Sequence, residues 1–199
     1  DGICFAVCLF HTRFWKGNPM KTLILNGSPR PAGDTAALLA ALKEALTGPF
    51  VQIDAYREKI TPCLDCRACR TGECPIPDRM REIGRLAEES GAVLIASPVY
   101  FSSLTPPLAA IGSRLQSRYY ASLRGEDAGA EKRGAVLLAA GGNGAPEGAY
   151  RMARQFLRLW GVKGEIPLAG AWETDRTPAV LDREALRQAG RLAAFLEGC

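Results

Sequence analysis

Four of the chain's seven cysteines fall within twelve positions, Cys63, Cys66, Cys69 and Cys74, in the stretch PCLDCRACRTGECP. Thiolates two residues apart can turn inward onto one inorganic centre, and a CxxCxxC run that ends near a Cys-Pro is similar to the compact motif that holds iron–sulfur clusters. Structural zinc more often uses two separated CxxC knuckles that grip from opposite sides. Reduced thiols, structural or redox-active, are a third reading, and the spacing leaves all three open. An odd cysteine total with four of them clustered points to metal or redox chemistry more than to a secreted disulfide framework.

Three further segments could do chemistry. NGSPRPAGDT brings Gly27, Ser28, Arg30, Gly33, Asp34 and Thr35 directly before a helical pattern. Backbone N–H groups, hydroxyls and a guanidinium at a helix start suit a phosphate. The Gly-Lys-Ser/Thr ending of a P-loop is missing, which disfavours nucleoside triphosphate hydrolysis. The alternative is a turn in which Asp34 or Thr35 caps the helix and Arg30 is merely solvated. In SPVYFSSLTP, Ser97, Pro98, Val99, Tyr100 and Phe101 could lie along a planar heterocycle, or the two aromatics could simply cover the end of a sheet. In AGGNGAPEG, Gly141, Gly142, Asn143 and Gly144 would let backbone approach a ligand closely. The GxGxxxG spacing from Gly142 to Gly148 is discounted as a dinucleotide fingerprint, because that motif belongs at the first strand–helix turn.

Absences narrow the chemistry. The one histidine, His11, precedes the patterned part of the chain, so a Ser-His or Cys-His hydrolase lacks its usual base. No cysteine is followed six positions later by arginine, which removes the tyrosine-phosphatase loop. A phosphate site, an aromatic platform and a glycine loop without acid–base machinery fit a protein whose cofactor carries the reactivity.

These loops need elements to hold them. KTLILNG, FVQIDAY, AVLIASPVY, RGAVLLAAGG and VKGEIPLAGAW read as five strands. Between them lie helical patterns: DTAALLAALKEAL, residues 77–91 with Asp78 at the start and Gly91 at the end, a stretch from about Pro107 to Ser122, and PEGAYRMARQFLRLWG. A last helix spans about Asp182 to Glu197. Strands alternating with helices imply an α/β domain, a doubly wound parallel sheet with helices on both faces. Ligands of such sheets bind beyond the carboxyl ends of the strands at the switch point in strand order, so the loops after strands one, three and four are the ones to watch.

The bulk composition agrees with one globular domain: 199 residues, 47% hydrophobic, 23% charged. A net charge of +4 spread along the chain gives no footprint for nucleic acid. Residues 1–19, DGICFAVCLFHTRFWKGNP, differ in character from the rest of the chain and read as an upstream leader or an extension introduced by cloning. They are too short for a membrane span, and their start is acidic where a signal peptide is basic. The expected domain is 20–199, cytoplasmic, with no membrane partner.

LILNGSPRPAGDT, PCLDCRACRTGEC, AVLIASPVYFSSLTPPLAAI and GGNGAPEGA, in that order, resemble the flavodoxin-like NAD(P)H-dependent FMN reductases, specifically the iron-sulfur flavoprotein branch. The resemblance implies a flavodoxin-like three-layer sandwich with a five-stranded parallel sheet of order 2-1-3-4-5. It implies FMN as cofactor and NAD(P)H as co-substrate. Ser28, Arg30 and Thr35, with Gly33 and Asp34 in the same loop, would hold the phosphate. Ser97 to Phe101 would contact the isoalloxazine, and Gly142, Asn143 and Gly144 would close over the ring. Cys63, Cys66, Cys69 and Cys74 would carry a [4Fe-4S] cluster that relays single electrons to FMN, although similar cysteines also occur in relatives with FMN alone. Homodimers or homotetramers, and a small-molecule or protein electron donor and acceptor, are implied as well. Two positions depart from the family: Asp34, often asparagine there, and Arg79, where many relatives are acidic. A flavodoxin-type electron carrier is the alternative to an enzyme.

Overall fold

The computed structural model describes residues 21–126, 130–143 and 145–198. The expectations for residues 1–19, including Cys4, Cys8 and His11, and for Gly144 fall outside them. The apolar runs form strands β1 (Thr22–Asn26), β2 (Phe50–Asp54), β3 (Ala92–Pro98), β4 (Arg133–Ala139) and β5 (Leu168–Ala171). They pair in parallel, in the order β2-β1-β3-β4-β5. The expected sheet and its order are thus present.

Period-2 alternation assigns each strand residue to a face. Leu23, Leu25, Val93, Ile95, Val136 and Leu138 point to one side. There they meet Ile83 and Leu86 of α3 (Met80–Glu89), Leu108 and Ile111 of α4 (Pro106–Ser113), and Leu157 of α6 (Glu147–Leu159). Ile24, Leu94 and Leu137 point to the other side, against Leu38 and Leu42 of α1 (Asp34–Ala45) and Leu192 and Leu196 of α7 (Arg183–Glu197). Each such leucine contributes about 1.5–3 kcal/mol on burial, so both helix layers are firmly bound to the sheet. The three central strands are apolar on both faces because both are covered.

Three boundaries differ from the sequence reading, each for a local reason. The helical stretch expected from 107 to 122 is two helices, α4 and α5 (Gln116–Leu123). Leu115 and Ser117 bond back three residues instead of four, and the Ser113 and Ser117 hydroxyls take the carbonyls of Ala110 and Arg114. β2 stops at Asp54, where the short helix α2 (Ala55–Glu58) begins. The fifth strand starts only after Pro167, which has no N–H for the ladder; upstream, Val162 makes a single bridge to Lys132. Asp182 caps α7, its carboxylate accepting from the N–H groups of Glu184 and Ala185. Among the described residues no helix is long and apolar enough to cross a membrane.

Candidate functional site

The chain leaves β1 to form β2 on one side and returns to form β3 on the other, so the strand order switches between β1 and β3. The loops after β1, β3 and β4 meet at that carboxyl edge. Gly27 extends the ladder by donating to the Ala96 carbonyl (2.8 Å), and it lies so close to α4 that a Cβ there would come within 2.7 Å of Thr105 Oγ1. Gly148, at the start of α6, abuts the Ser102 carbonyl, where any Cβ would collide. These glycines are the contacts through which the β1 loop meets the β3 loop and the β3 loop meets the β4 loop.

In the β1 loop, Asn26 Oδ1 accepts from the Ser28 N–H (3.0 Å) and Ser28 Oγ from the Arg30 N–H (3.2 Å). Gly33 is the N-cap of α1 and offers no side chain, so the first-turn N–H groups have no side-chain acceptor. Neither Asp34 nor Thr35 caps the helix, so the alternative turn-and-cap arrangement is not the one formed. Asp34 lies within the first turn, and its carboxylate accepts from the Ala179 N–H at 2.8 Å. Thr35 is buried at the same turn, and Arg30 is exposed.

The β3 loop is a two-residue hairpin. Tyr100 and Ser103 exchange backbone hydrogen bonds of 3.0 and 2.9 Å around Phe101 and Ser102, whose φ values are 48° and 58°. Such a turn prefers Asn-Gly, and each non-glycine residue held there costs of order 1–3 kcal/mol. Phe101 is fully exposed and Tyr100 partly so. Ser97 is buried, donates to the Pro98 carbonyl and accepts from the Thr105 N–H, while the Val99 N–H reaches Ala139. Among the described residues, Thr105 Oγ1 is buried without a partner beside Gly27. An orphaned hydroxyl beside Gly27, an α1 start without a side-chain cap and a strained aromatic turn fit a site built around a polar, partly planar ligand.

Gly141 and Gly142 accept from the N–H groups of Asp175 and Glu173, which fastens the β4 loop to the β5–α7 connection. The space beside Gly142 is open, and Asn143 comes next, exposed.

The four cysteines line one cavity of about 380 Å³ with Ser113, Arg114 and Tyr120. Burial pushes the Cys69 thiol up, and nearby Cys63, Cys74 and Cys66 push it further against its own backbone hydrogen bond, so the four thiols are within electrostatic reach of one another. Among the described residues no three of His, Cys, Asp and Glu stand close enough to grip a single ion. The thiols ring a cavity instead of converging on a point.

Four residues of the α4–α5 segment hold this loop, and the sequence reading missed all of them. Ser113 Oγ accepts from the Cys63 N–H (2.9 Å), and Arg124 donates to the carbonyls of Cys69 (2.8 Å) and Arg70 (3.1 Å). Tyr120 accepts from Arg70 (3.2 Å), and Arg114 donates to the Thr61 carbonyl (2.9 Å) and to Asp78 (2.7 Å). Tyr56, on α2 seven residues before Cys63, was missed too: burial pushes its hydroxyl up, and the nearby Tyr100 of the β3 hairpin pushes it further. Arg79 pairs with Glu58 (2.6 Å) and Glu82 (2.7 Å). A groove of about 680 Å³ adjoins the cysteine cavity, shares Ser113 and Gln116 with it, and carries Arg151, Arg154 and Arg158.

Comparison with known proteins points the same way. The profile of the NADPH-dependent FMN reductase family matches residues 20–172. The chain belongs to that family, and it is an oxidoreductase of the flavodoxin-like class. Within the family it falls in the iron-sulfur flavoprotein branch. An iron-sulfur flavoprotein of Archaeoglobus fulgidus is 32% identical over 180 residues, covering 88% of this chain and 78% of that one. Another, from Methanocaldococcus jannaschii, is 31% identical over 147 residues, 70% and 72% of the two chains. Among solved structures, an NAD(P)H:quinone oxidoreductase from Methanothermobacter marburgensis superposes with a TM-score of 0.71 at 20% identity, covering 90% of this chain and 97% of that one. An azoreductase from Bacillus anthracis gives 0.61 at 16% identity, covering 88% and 99%. These structures share the fold.

Proposed function

We propose that the chain, as a cytoplasmic homodimer or homotetramer with residues 20–199 as its catalytic domain, passes electrons from NAD(P)H or a reduced carrier through bound FMN to a second acceptor. One observation carries the reading: the loops after β1, β3 and β4 meet at the switch point, around an uncapped α1 N-terminus and the orphaned Thr105 hydroxyl. The α1 N–H groups with Ser28, Arg30, Gly33 and Thr35 would hold the phosphate, and Asp34 is bonded to Ala179, which supports its being compatible with an anion there. Ser97, Pro98, Val99, Tyr100 and Phe101 would lie along the ring, with Gly142, Asn143 and Gly144 opposite. FMN, when bound, supplies hydride acceptance and one- or two-electron release. The protein's part is to seat the ring, keep one face open and exclude bulk water from the other.

Anaerobic addition of NADH and of NADPH to FMN-loaded protein tests this. Bleaching of the flavin band is expected with at least one nucleotide. Failure with both, together with rapid reduction by a ferredoxin-type carrier, overturns the NAD(P)H reading.

A second reading, a relay in which Cys63, Cys66, Cys69 and Cys74 hold a [4Fe-4S] cluster, is favoured by the ring of thiols. A tetrahedral zinc site needs sulfurs about 3.8 Å apart around one ion, whereas a cluster takes one thiolate per iron across a wider body. The cluster, when bound, supplies single-electron exchange. The arginine groove beside it suits an acidic carrier protein. Iron and sulfide analysis of protein purified without oxygen decides it: about four of each per chain supports the cluster, and their absence after reconstitution overturns it.

A further inference from the structure

Resting on the reading in which a reduced carrier supplies the electrons, we infer that the groove of about 680 Å³ between the α4–α5 segment and α6 is the docking face for a small acidic redox protein, an entrance separate from the one nicotinamide uses. Its wall is a charged stripe on one helix. Arg151, Arg154 and Arg158 recur at i, i+3 and i+7 of α6, on a single face, and all three are exposed. Among the described residues no carboxylate lines the groove, and none of the three arginines pairs with one. Elsewhere acids answer the arginines: Glu58 and Glu82 pair with Arg79, Glu89 with Arg85, Glu88 with Arg118, and Glu184 with Arg187 and Arg191.

Like charges three and four residues apart destabilise a helix, so the stripe costs stability in the free chain. Two of its members are nevertheless held in place. Arg154 lies over the Tyr150 ring, and Arg158 donates to the carbonyls of Val162 (2.9 Å) and Gly164 (2.6 Å), contacts that fix direction without neutralising charge. The floor is apolar: the Phe156 ring occupies the place a Cβ would take at Gly112, and Tyr119 and Leu159 line the groove with it. Leu123, one turn beyond Tyr119 on α5, is exposed as well. An apolar centre with aromatic rings, arginine at the rim and no lysine is the composition of a protein-binding face. Charge then selects the occupant. A second copy docked face to face would set the stripe against its own image, which like charge opposes, whereas an acidic surface is drawn in. The groove shares Ser113 and Gln116 with the cysteine cavity, so a docked carrier lies beside the thiols. None of its lining residues belongs to the loops after β1, β3 and β4, so the carrier leaves the flavin mouth open to nicotinamide. Each encounter moves one electron out of the carrier, and two encounters, with protons from water, complete the reduction of one FMN.

The test uses the FMN-loaded full chain without oxygen, a chemically reduced acidic ferredoxin as the probe, and two double variants, R151E with R154E and R151K with R154K. Flavin bleaching is followed by stopped flow. At low salt the charge-reversed variant should be reduced about tenfold more slowly than wild type, and the lysine variant within about twofold of it. Raising NaCl from about 0.05 to about 0.5 M should slow the wild type by roughly tenfold and should not slow the charge-reversed variant. Bleaching by NADH or NADPH should proceed at one rate in all three proteins. Equal ferredoxin rates at low salt in wild type and the charge-reversed variant overturn the inference alone. A sedimentation coefficient that shifts with the charge reversal does so too, since the groove is then a contact between copies. A wild-type flavin that ferredoxin fails to reduce at any salt overturns the carrier reading and the inference with it.

Discussion

Asp78 Oδ2 accepts from Arg114 Nη1 at 2.7 Å and from the Thr61 N–H at 3.0 Å, while its other oxygen accepts from Met80 N–H at the start of α3. One carboxylate therefore ties together the entrance of the cysteine loop, its exit and the α4–α5 junction. The loop between is closed at its base by a single charged pair with little access to water.

Removing one partner leaves the other charge buried and unpaired, so D78A should cost about 3–5 kcal/mol, read as a lower urea midpoint. The pair also makes stability acid-sensitive. Burial pushes the Asp78 carboxyl up, but hydrogen bonds from Arg114, Met80 and Thr61 outweigh it and hold the carboxyl below its ordinary value. A depressed carboxyl contributes stability that is complete above its unfolded value, about pH 4, and is lost as pH falls through the folded value. Acid titration by circular dichroism should show a steeper decline below about pH 4 for wild type than for D78N.

Asp34 sits in the first turn of the helix proposed to receive the phosphate, bonded to Ala179. D34N keeps an oxygen for that bond and removes the charge. It should tighten FMN binding by roughly fivefold, about 1 kcal/mol of relieved repulsion, and the gain should shrink in high salt. Flavin fluorescence quenching at two ionic strengths measures both.

The Phe101–Ser102 turn is held at positive φ by two residues that disfavour it. S102G should relieve about 1 kcal/mol of strain and raise the melting temperature of flavin-free protein by about 2–4 °C, leaving FMN affinity unchanged. F101G should stabilise the flavin-free protein similarly but weaken FMN binding about tenfold through loss of the aromatic contact. G148A, which drives a methyl into the Ser102 carbonyl, should lower the melting temperature.

The layout of the sheet was readable because β1, β3 and β4 are buried on both faces and their residues are nearly all apolar, a pattern that few other elements produce. The three ligand loops could be placed from topology, and the glycines and the Ser-Pro step marked them. What stayed hidden depends on partners distant in the chain. Arg114 reads as an ordinary helical arginine until Asp78 is brought beside it, and that pairing accompanies the break between α4 and α5. Asp34 reads as a cap until Ala179 supplies a donor from across the molecule. Tyr56 and Thr105 carry no local motif, and only the packing of α2 and α4 against the β3 loop shows what they face.

Arg124 offers a test of the cysteine loop that needs no cofactor. Its guanidinium holds the carbonyls of Cys69 and Arg70, and Tyr120 holds the Arg70 side chain, so the 3-10 turn at Ala68–Arg70 is fastened mainly to α5. A charge-assisted bond to a carbonyl contributes about 1.5–3 kcal/mol where it is shielded. Arg124 is partly exposed, so the expectation is the smaller one, about tenfold in the local opening equilibrium. Global melting depends on the two helix layers and should barely move in R124A, because the loop contributes none of the buried core leucines. Limited trypsinolysis of cluster-free protein reads the opening directly, since cleavage after Arg67 and Arg70 requires the turn to leave α5. Nicking there should be about tenfold faster in R124A at an unchanged melting temperature. Equal nicking rates in the two proteins would mean that the loop is held elsewhere, by Ser113 and the Arg114–Asp78 pair at its base.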